Sequence, residues 1–320
     1  MTARASIIAS LPIPPDLRDR IEALFDYVAP DRHLRTDDVI ALADLHQPDG
    51  LLVSLGMPIR AEHIARLPGS VKVIATTSVG YDHIDIAAAN ARGIVVCNTP
   101  DVLTDATADT HMLLLLGAAR RAKAHIRNMD GAWKTRNGFF QGLGVDVTGK
   151  TMGIVGMGRI GRAVADRARG FRMPILYHNR TRLSADLEGD ARYFETLEEM
   201  LPHCQVLSLN LPGGQGVLMT RERFALLPKG AIFVNSARGS LVDEDALLEA
   251  LTSGRVGAAG LDVFQREPGY DTRLNDAENT FLLPHIGSAT VETRTAMLEL
   301  AVDGIEAVLS GNTPHNVVRV

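Results

Sequence analysis

Six consecutive residues constrain this chain more than any others: Gly156-Met157-Gly158-Arg159-Ile160-Gly161. They follow an apolar run, residues 151–155, that reads as a buried strand, and they lead into a helical pattern over residues 160–169. The first glycine permits a tight turn, the second lets the backbone approach a pyrophosphate, and the third lets helix and strand pack closely. The helix N-terminus then offers free N–H groups and a partial positive charge to phosphates. With a second strand expected at residues 175–178, this unit predicts a dinucleotide site built from Gly156, Gly158, Arg159, Ile160 and Gly161.

The end of that second strand bears on which dinucleotide binds. An NAD site usually carries an acidic residue there, about 20 residues on, to hold the ribose 2′-hydroxyl. This chain reads His178-Asn179-Arg180-Thr181-Arg182, with no carboxylate. Two arginines and neutral hydrogen-bonding side chains attract a 2′-phosphate. Asn179, Arg180 and Thr181 are therefore expected to contact the cofactor, with NADP(H) preferred and NAD(H) left open.

Short apolar runs alternate with helical stretches along nearly the whole chain. Strands are expected at 6–10, 51–55, 71–76 and 94–97, then at 151–155, 175–178, 206–210, 231–235, 258–263 and 281–283. Such continuous runs suit strands covered on both faces of a parallel sheet. Strict β–α alternation over short links predicts an α/β fold of two Rossmann-like, doubly wound domains. No glycine-rich turn follows the first strand, so the first domain is not read as the nucleotide binder. A long helix is expected over 105–129, with Thr104 as its cap and the run 113–116 available to a second subunit. A final helix over 290–309 could return to the first domain. The expected boundaries are 1–99 with 287–320 for a substrate domain, and 100–286 for the cofactor domain.

At 320 residues, with 46% hydrophobic and 22% charged residues, the chain has material for two cores. A formal net charge of −5 argues against a nucleic-acid partner, which favours a basic surface. The two cysteines, Cys97 and Cys204, form neither a disulfide framework nor a metal-ligand pattern, and a reduced, cytoplasmic setting is expected. The apolar run 112–119 is far shorter than the ~20 residues of a membrane span, and no targeting segment is read. No metal site is expected, because the histidines are scattered.

Three later segments share one form, a strand end followed by polar residues. They are Asn235-Ser236-Ala237-Arg238-Gly239, the stretch from Leu261-Asp262-Val263 to Glu267-Pro268, and Pro284-His285-Ile286-Gly287-Ser288. Carboxyl ends of strands face the ligand crevice in doubly wound sheets, so Arg238, Glu267 and His285 are expected to converge there. Asp82 and Asp85 look paired but read as turn and helix-cap residues.

Together with Ser78-Val79-Gly80-Tyr81-Asp82-His83-Ile84-Asp85 and Ala106-Thr107-Ala108-Asp109, these segments resemble the D-isomer-specific 2-hydroxyacid dehydrogenase family over nearly the whole chain. Residues 281–294 look most like its glyoxylate/hydroxypyruvate reductase branch. The resemblance implies an NAD(P)-binding Rossmann domain joined to a flavodoxin-like substrate domain. It implies reduction of a small 2-oxo acid to a D-2-hydroxy acid by hydride transfer. His285 would be the general acid and Glu267 its partner, holding the imidazole and favouring its protonated form. Arg238 would grip the substrate carboxylate and polarise the carbonyl. Backbone N–H groups of Val79 and Gly80 would bind the same carboxylate, Leu55 would line the pocket, and domain closure would exclude water. Asp262 would contact the nicotinamide carboxamide, while Thr107, Leu211, Pro212, Ser236, Ala237 and Gly287 would line the cofactor cleft.

A homodimer through the 105–129 helix is expected. The segment from Trp133 to Gly149 is compact, with Phe139 and Phe140 where the branch often has a longer Trp-bearing loop, and residues 212–216 are glycine-rich. Both departures leave pocket size open. A larger 2-oxo acid, hydroxyphenylpyruvate or 2-ketogluconate, is therefore an alternative substrate. A dinucleotide-sensing, corepressor-like protein is a further alternative, opposed by the intact Arg–Glu–His set.

Overall fold

Parallel strands buried on both faces organise both halves of the chain. A computed structural model describes residues 4–134 and 136–319. Contacts divide the chain into two units, one holding the residues up to Leu103 and those from Ala289 onward, the other running from Thr104 to Ser288. The loop after residue 99 stays with the first unit until a new helix begins at Thr104, which moves the division past the expected break.

The first unit alternates β1 (Ser6–Ala9), α1 (Pro15–Leu24), β2 (Asp26–Val28), α2 (Thr36–His46), β3 (Gly50–Val53), α3 (Ala61–Arg66), β4 (Val73–Thr76), α4 (Ile86–Ala91) and β5 (Val95–Cys97). Its sheet is parallel throughout, in the order β2-β1-β3-β4-β5. This is the flavodoxin-like order. Strand β2 escaped the sequence reading because it is a three-residue edge strand with no fully buried residue. Asp85 caps α4 by accepting from the Ala88 N–H at 2.9 Å, which answers its expected role.

The second unit runs α5 (Thr104–Ala119), α6 (Ala122–Asp130), β6 (Met152–Val155), α7 (Arg159–Gly170), β7 (Ile175–His178), α8 (Ala185–Glu188), β8 (Arg192–Tyr193), α9 (Leu197–Met200), β9 (Val206–Leu209), α10 (Arg221–Leu226), β10 (Ala231–Asn235), α11 (Glu244–Thr252), β11 (Val256–Leu261), α12 (Arg273–Asp276) and β12 (Thr280–Leu282). Seven parallel strands lie in the order β12-β11-β10-β9-β6-β7-β8. Counted within the unit this is 3-2-1-4-5-6 with a seventh strand added, the Rossmann order. Order reverses between β6 and β9, so the ligand crevice opens beyond their carboxyl ends. The chain then returns to the first unit as α13 (Val291–Leu309), where Leu298, Ala301, Val302 and Ile305 pack with Ile7, Leu52 and Val73. Thr290 caps it, accepting from the Thr293 N–H at 3.1 Å.

The helix expected over 105–129 is in fact two. Arg121 turns into the left-handed region at φ 54° and separates α5 from α6. Neither Gly nor Pro marks the break. A tertiary contact holds α6 in its new direction: the Lys123 ammonium donates to the carbonyls of Asn275 and Ala277 and to the Thr280 hydroxyl. Thr104 lies inside the first turn of α5 rather than capping it. The apolar run within α5 also serves its own unit, since Leu114 and Leu115 are fully buried in the core and Leu113 is the exposed member. Strand β11 starts and ends two residues before the expected 258–263. At its start Gly257 is an extra residue in a bulge opposite β10, and at its end Asp262 leaves the strand to bond a neighbouring turn. Among the described residues no helix is long and apolar enough to cross a membrane.

Candidate active site

The glycine loop stands where the sheet order reverses. Gly156 follows β6 with φ 94°, and a Cβ there would lie 2.7 Å from the Asn210 carbonyl oxygen at the end of β9. A Cβ on Gly161 would lie 2.2 Å from the Gly156 carbonyl oxygen, so α7 leaves the loop at a distance only glycine allows. Beside Gly158 the space is open. The first turn of α7 carries no acidic residue and begins with Arg159, while Ile160 is half-buried against the core. The loop therefore pairs a close turn and tight packing with a bare backbone at a positive helix terminus, which suits a dinucleotide pyrophosphate.

The turn after β7 is built differently from the sequence expectation. Asn179 faces inward and accepts from the Met157 N–H at 2.7 Å, tying this turn to the glycine loop. Arg182 is committed elsewhere: its guanidinium donates to both Glu188 oxygens, at 2.7 and 2.8 Å. Tyr177 donates its hydroxyl to the same carboxylate at 2.6 Å and accepts the Leu183 N–H. The bonds from Arg182 and Tyr177 hold the Glu188 carboxyl down at about 2. Both arginines are exposed, but Arg182 is held by Glu188, while Arg180 stands beside exposed Thr181.

On the other side of the reversal, Leu211 and Pro212 follow β9, Ser236 and Ala237 follow β10, and Asp262 follows β11. Asn235 pins the β10 turn, accepting from the Ala237 N–H and donating to the Arg238 carbonyl, both at 3.0 Å. Arg238 is half-buried, and its guanidinium also donates to the Ala237 carbonyl at 2.8 Å. A Cβ on Gly239 would lie 1.9 Å from the Phe264 backbone, so the Arg238 turn and the Phe264–Glu267 loop touch directly.

Glu267 and His285 meet across that loop. The carboxylate accepts the Phe264 N–H at 2.8 Å through one oxygen and engages His285 Nδ1 at 2.5 Å through the other. Burial raises the Glu267 pKa, but the bonds from His285 and Phe264 and the charges of His285 and Arg238 outweigh it, leaving the carboxyl below its ordinary value. An ionised carboxylate can only accept, so Nδ1 carries a proton and Nε2 is the ring nitrogen outside this pair.

His285 sits at φ 55°, a left-handed conformation uncommon for a non-glycine residue. Three bonds to one residue hold it there. The His285 N–H donates to the Asp262 carbonyl at 2.8 Å, and the Ile286 and Gly287 N–H groups donate to its two carboxylate oxygens at 2.7 and 2.8 Å. Asp262 is 1% exposed, and burial, set against those bonds, leaves its carboxyl pKa raised. Expected as a cofactor contact, Asp262 thus also shapes the histidine turn. Gly287 lies against Thr107 of α5, whose neighbour Thr110 reaches the Gly287 carbonyl.

Within the first unit, Leu55 is half-buried in the turn after β3. The Val79 carbonyl accepts from Asn98 at 2.8 Å and the Gly80 carbonyl from Ser78 at 2.6 Å. The sequence reading gave no role to Asn235, Gly239, Tyr177 or Glu188, nor to His111 and Ser208, whose ring nitrogen and hydroxyl stand 2.8 Å apart. His111 had a faint signal, a polar ring at the head of an otherwise apolar run.

A family model, D-isomer specific 2-hydroxyacid dehydrogenase, NAD binding domain, matches residues 112–287. The glyoxylate reductase of Thermococcus kodakarensis is 43% identical, over 88% of this chain and 86% of that protein. Glyoxylate/hydroxypyruvate reductase B of an Enterobacter species is 41% identical, over 99% of this chain and 98% of that one. The structure of an NADPH-dependent glyoxylate/hydroxypyruvate reductase from Sinorhizobium meliloti, in complex with NADP and malonate, superimposes with a TM-score of 0.87 at 36% identity, covering 99% of this chain and 97% of that one. With its paired parallel sheets, its glycine loop and these similarities, the chain belongs to the D-isomer-specific 2-hydroxyacid dehydrogenase family, in the glyoxylate/hydroxypyruvate reductase branch of NAD(P)-dependent oxidoreductases.

Proposed function

We propose that this protein reduces glyoxylate or hydroxypyruvate to the corresponding D-2-hydroxy acid, with NADPH as the preferred hydride donor. The observation that carries the reading is the His285–Glu267 pair at 2.5 Å, with the Arg238 charge acting on the same carboxylate, at the carboxyl ends of the parallel strands. A nicotinamide held at this crevice would supply the hydride for the carbonyl carbon. His285 Nε2 gives its proton to the carbonyl oxygen, while Glu267 holds the ring and stabilises its charge before transfer. Arg238 pairs with the substrate carboxylate through its forked guanidinium and draws electron density from the adjacent carbonyl. Leu55 and the N–H groups of Val79 and Gly80 are assigned to substrate contact. Thr107, Leu211, Pro212, Ser236, Ala237, Asp262 and Gly287 are assigned to the cofactor.

Two features support NADPH: exposed Arg180 and Thr181, and the absence of a carboxylate among residues 178–182. The NADP complex of the Sinorhizobium relative points the same way. A homodimer is supported by an exposed apolar surface that begins within the expected 105–129 stretch and continues beyond it. Ile126, Met129 and Trp133 on and after α6 are exposed, as are Phe139 at 89% and Phe140 at 81%.

The test is steady-state turnover of NADPH and NADH with glyoxylate, hydroxypyruvate, hydroxyphenylpyruvate and 2-ketogluconate. The two small acids with NADPH should give the highest kcat/KM. His285→Ala should lose at least a hundredfold in kcat. Equal rates for wild type and this variant would refute the mechanism, and preference for the aromatic or sugar acid would move the substrate class.

A further inference from the structure

We infer that His111 is a positioning residue for the reaction: through Ser236 it sets the turn that carries Arg238 and presents the Ser236 hydroxyl as a hydrogen-bond donor. The inference rests on the assignment of Arg238 to the substrate carboxylate.

His111 lies on the inner face of α5 and is 0% exposed. Both ring nitrogens are engaged by serine hydroxyls from different strands: Nε2 stands 2.8 Å from Ser208 Oγ on β9, and Nδ1 stands 2.7 Å from Ser236 Oγ just past β10. The chain extends one step further, since Asn210 Nδ2 donates to Ser208 Oγ at 2.7 Å. Asn210 begins the turn whose carbonyl approaches Gly156. On the same helix, Thr107 and Thr110 touch Gly287, next but one to His285. One helix thus contacts β9 and the segments after β10 and β12, and His111 spans the first two.

In this proposal the Ser208 hydroxyl donates to the ring. Ser208 is fully buried and already accepts from Asn210, and its single proton has His111 Nε2 as acceptor. Nε2 is then the bare nitrogen of a neutral ring, and Nδ1 carries the hydrogen. Burial favours the neutral ring, pushing its pKa down to about 3. Nδ1–H donates to Ser236, whose own proton remains for an acceptor at the strand ends. A core histidine kept only for packing needs neither this polarity nor a partner one residue from Ala237 and two from Arg238.

The experiment separates the two ring nitrogens. An Asn amide can replace Nδ1 and keep the bond to Ser236, whereas a Gln amide reaches the position of Nε2 and keeps only the bond to Ser208. His111→Asn should retain kcat/KM for the 2-oxo acid within about threefold, while His111→Gln and Ser236→Ala should each lose about tenfold or more, because misplacing a substrate-binding group is costly. Thermal unfolding of each variant monitors the fold. Equal losses in the Asn and Gln variants, or no loss in Gln and Ala, overturn the inference. Arg238→Ala is measured beside them: if it is impaired while His111→Gln is not, this inference alone fails, and if Arg238→Ala is unimpaired, the substrate assignment fails with it.

Discussion

Acid should weaken wild-type protein more than a His111→Asn variant. The wild-type imidazole is fully buried, and burial lowers its pKa from 6.5 to about 3. In the unfolded chain the same ring takes up a proton as pH falls through its ordinary value. Between the two pKa values the unfolded state therefore binds more protons than the native state, and native stability falls as pH falls. For this one ring the loss is about 0.2 kcal/mol at pH 7 and about 2 kcal/mol at pH 5. Any native pKa at or below about 4 gives nearly the same figure, because the native ring is already neutral at pH 5. Asparagine does not titrate, so the variant lacks this slope while keeping the slopes due to carboxylates. Urea unfolding followed by circular dichroism at pH 7 and pH 5 measures the difference through the shift in midpoint. Wild type should lose about 2 kcal/mol more than the variant over this interval. A difference below about 0.5 kcal/mol would mean that the native ring is protonated by pH 5, and the neutral state assigned to His111 would be wrong.

Gly161→Ala places a Cβ 2.2 Å from the Gly156 carbonyl oxygen, so the loop must open. NADPH affinity, followed by its fluorescence, should fall at least tenfold, and unchanged affinity would remove the loop from the cofactor site. Arg180→Ala should shift the kcat/KM ratio toward NADH by tenfold or more, whereas Arg182→Ala, which breaks the Glu188 pair, should mainly lower thermal stability. The reverse pattern would exchange their roles. Replacing Phe139 and Phe140 together by Ser removes the most exposed aromatic surface and should reduce the mass measured by light scattering. A mass equal to that of wild type would place the dimer contact elsewhere.

Much of the architecture is written locally. Runs such as Gly50–Val53 and residues 231–234 are apolar throughout because both faces of their sheets are covered, and a contiguous run is visible without knowing its neighbours. The glycine loop is legible for the same reason: turn, close approach and helix packing each place a demand on one residue at a fixed spacing. Arg238, Glu267 and His285 could be picked out because strand ends announce themselves and a parallel sheet aligns those ends on one edge.

Distance along the chain hid the rest. Arg180 and Arg182 look equivalent until Glu188, six residues on, claims one of them. No residue between α5 and α6 marks their break, because Lys123 finds its partners beyond residue 270. His111 reads as a stray polar residue in an apolar helix until β9 and β10 bring Ser208 and Ser236 to its two nitrogens. Local sequence determined which elements form and where phosphate can approach, since those depend on backbone freedom and apolar periodicity. Tertiary structure alone decided which polar groups are paired, because a buried donor takes its acceptor from whichever strand the fold places beside it.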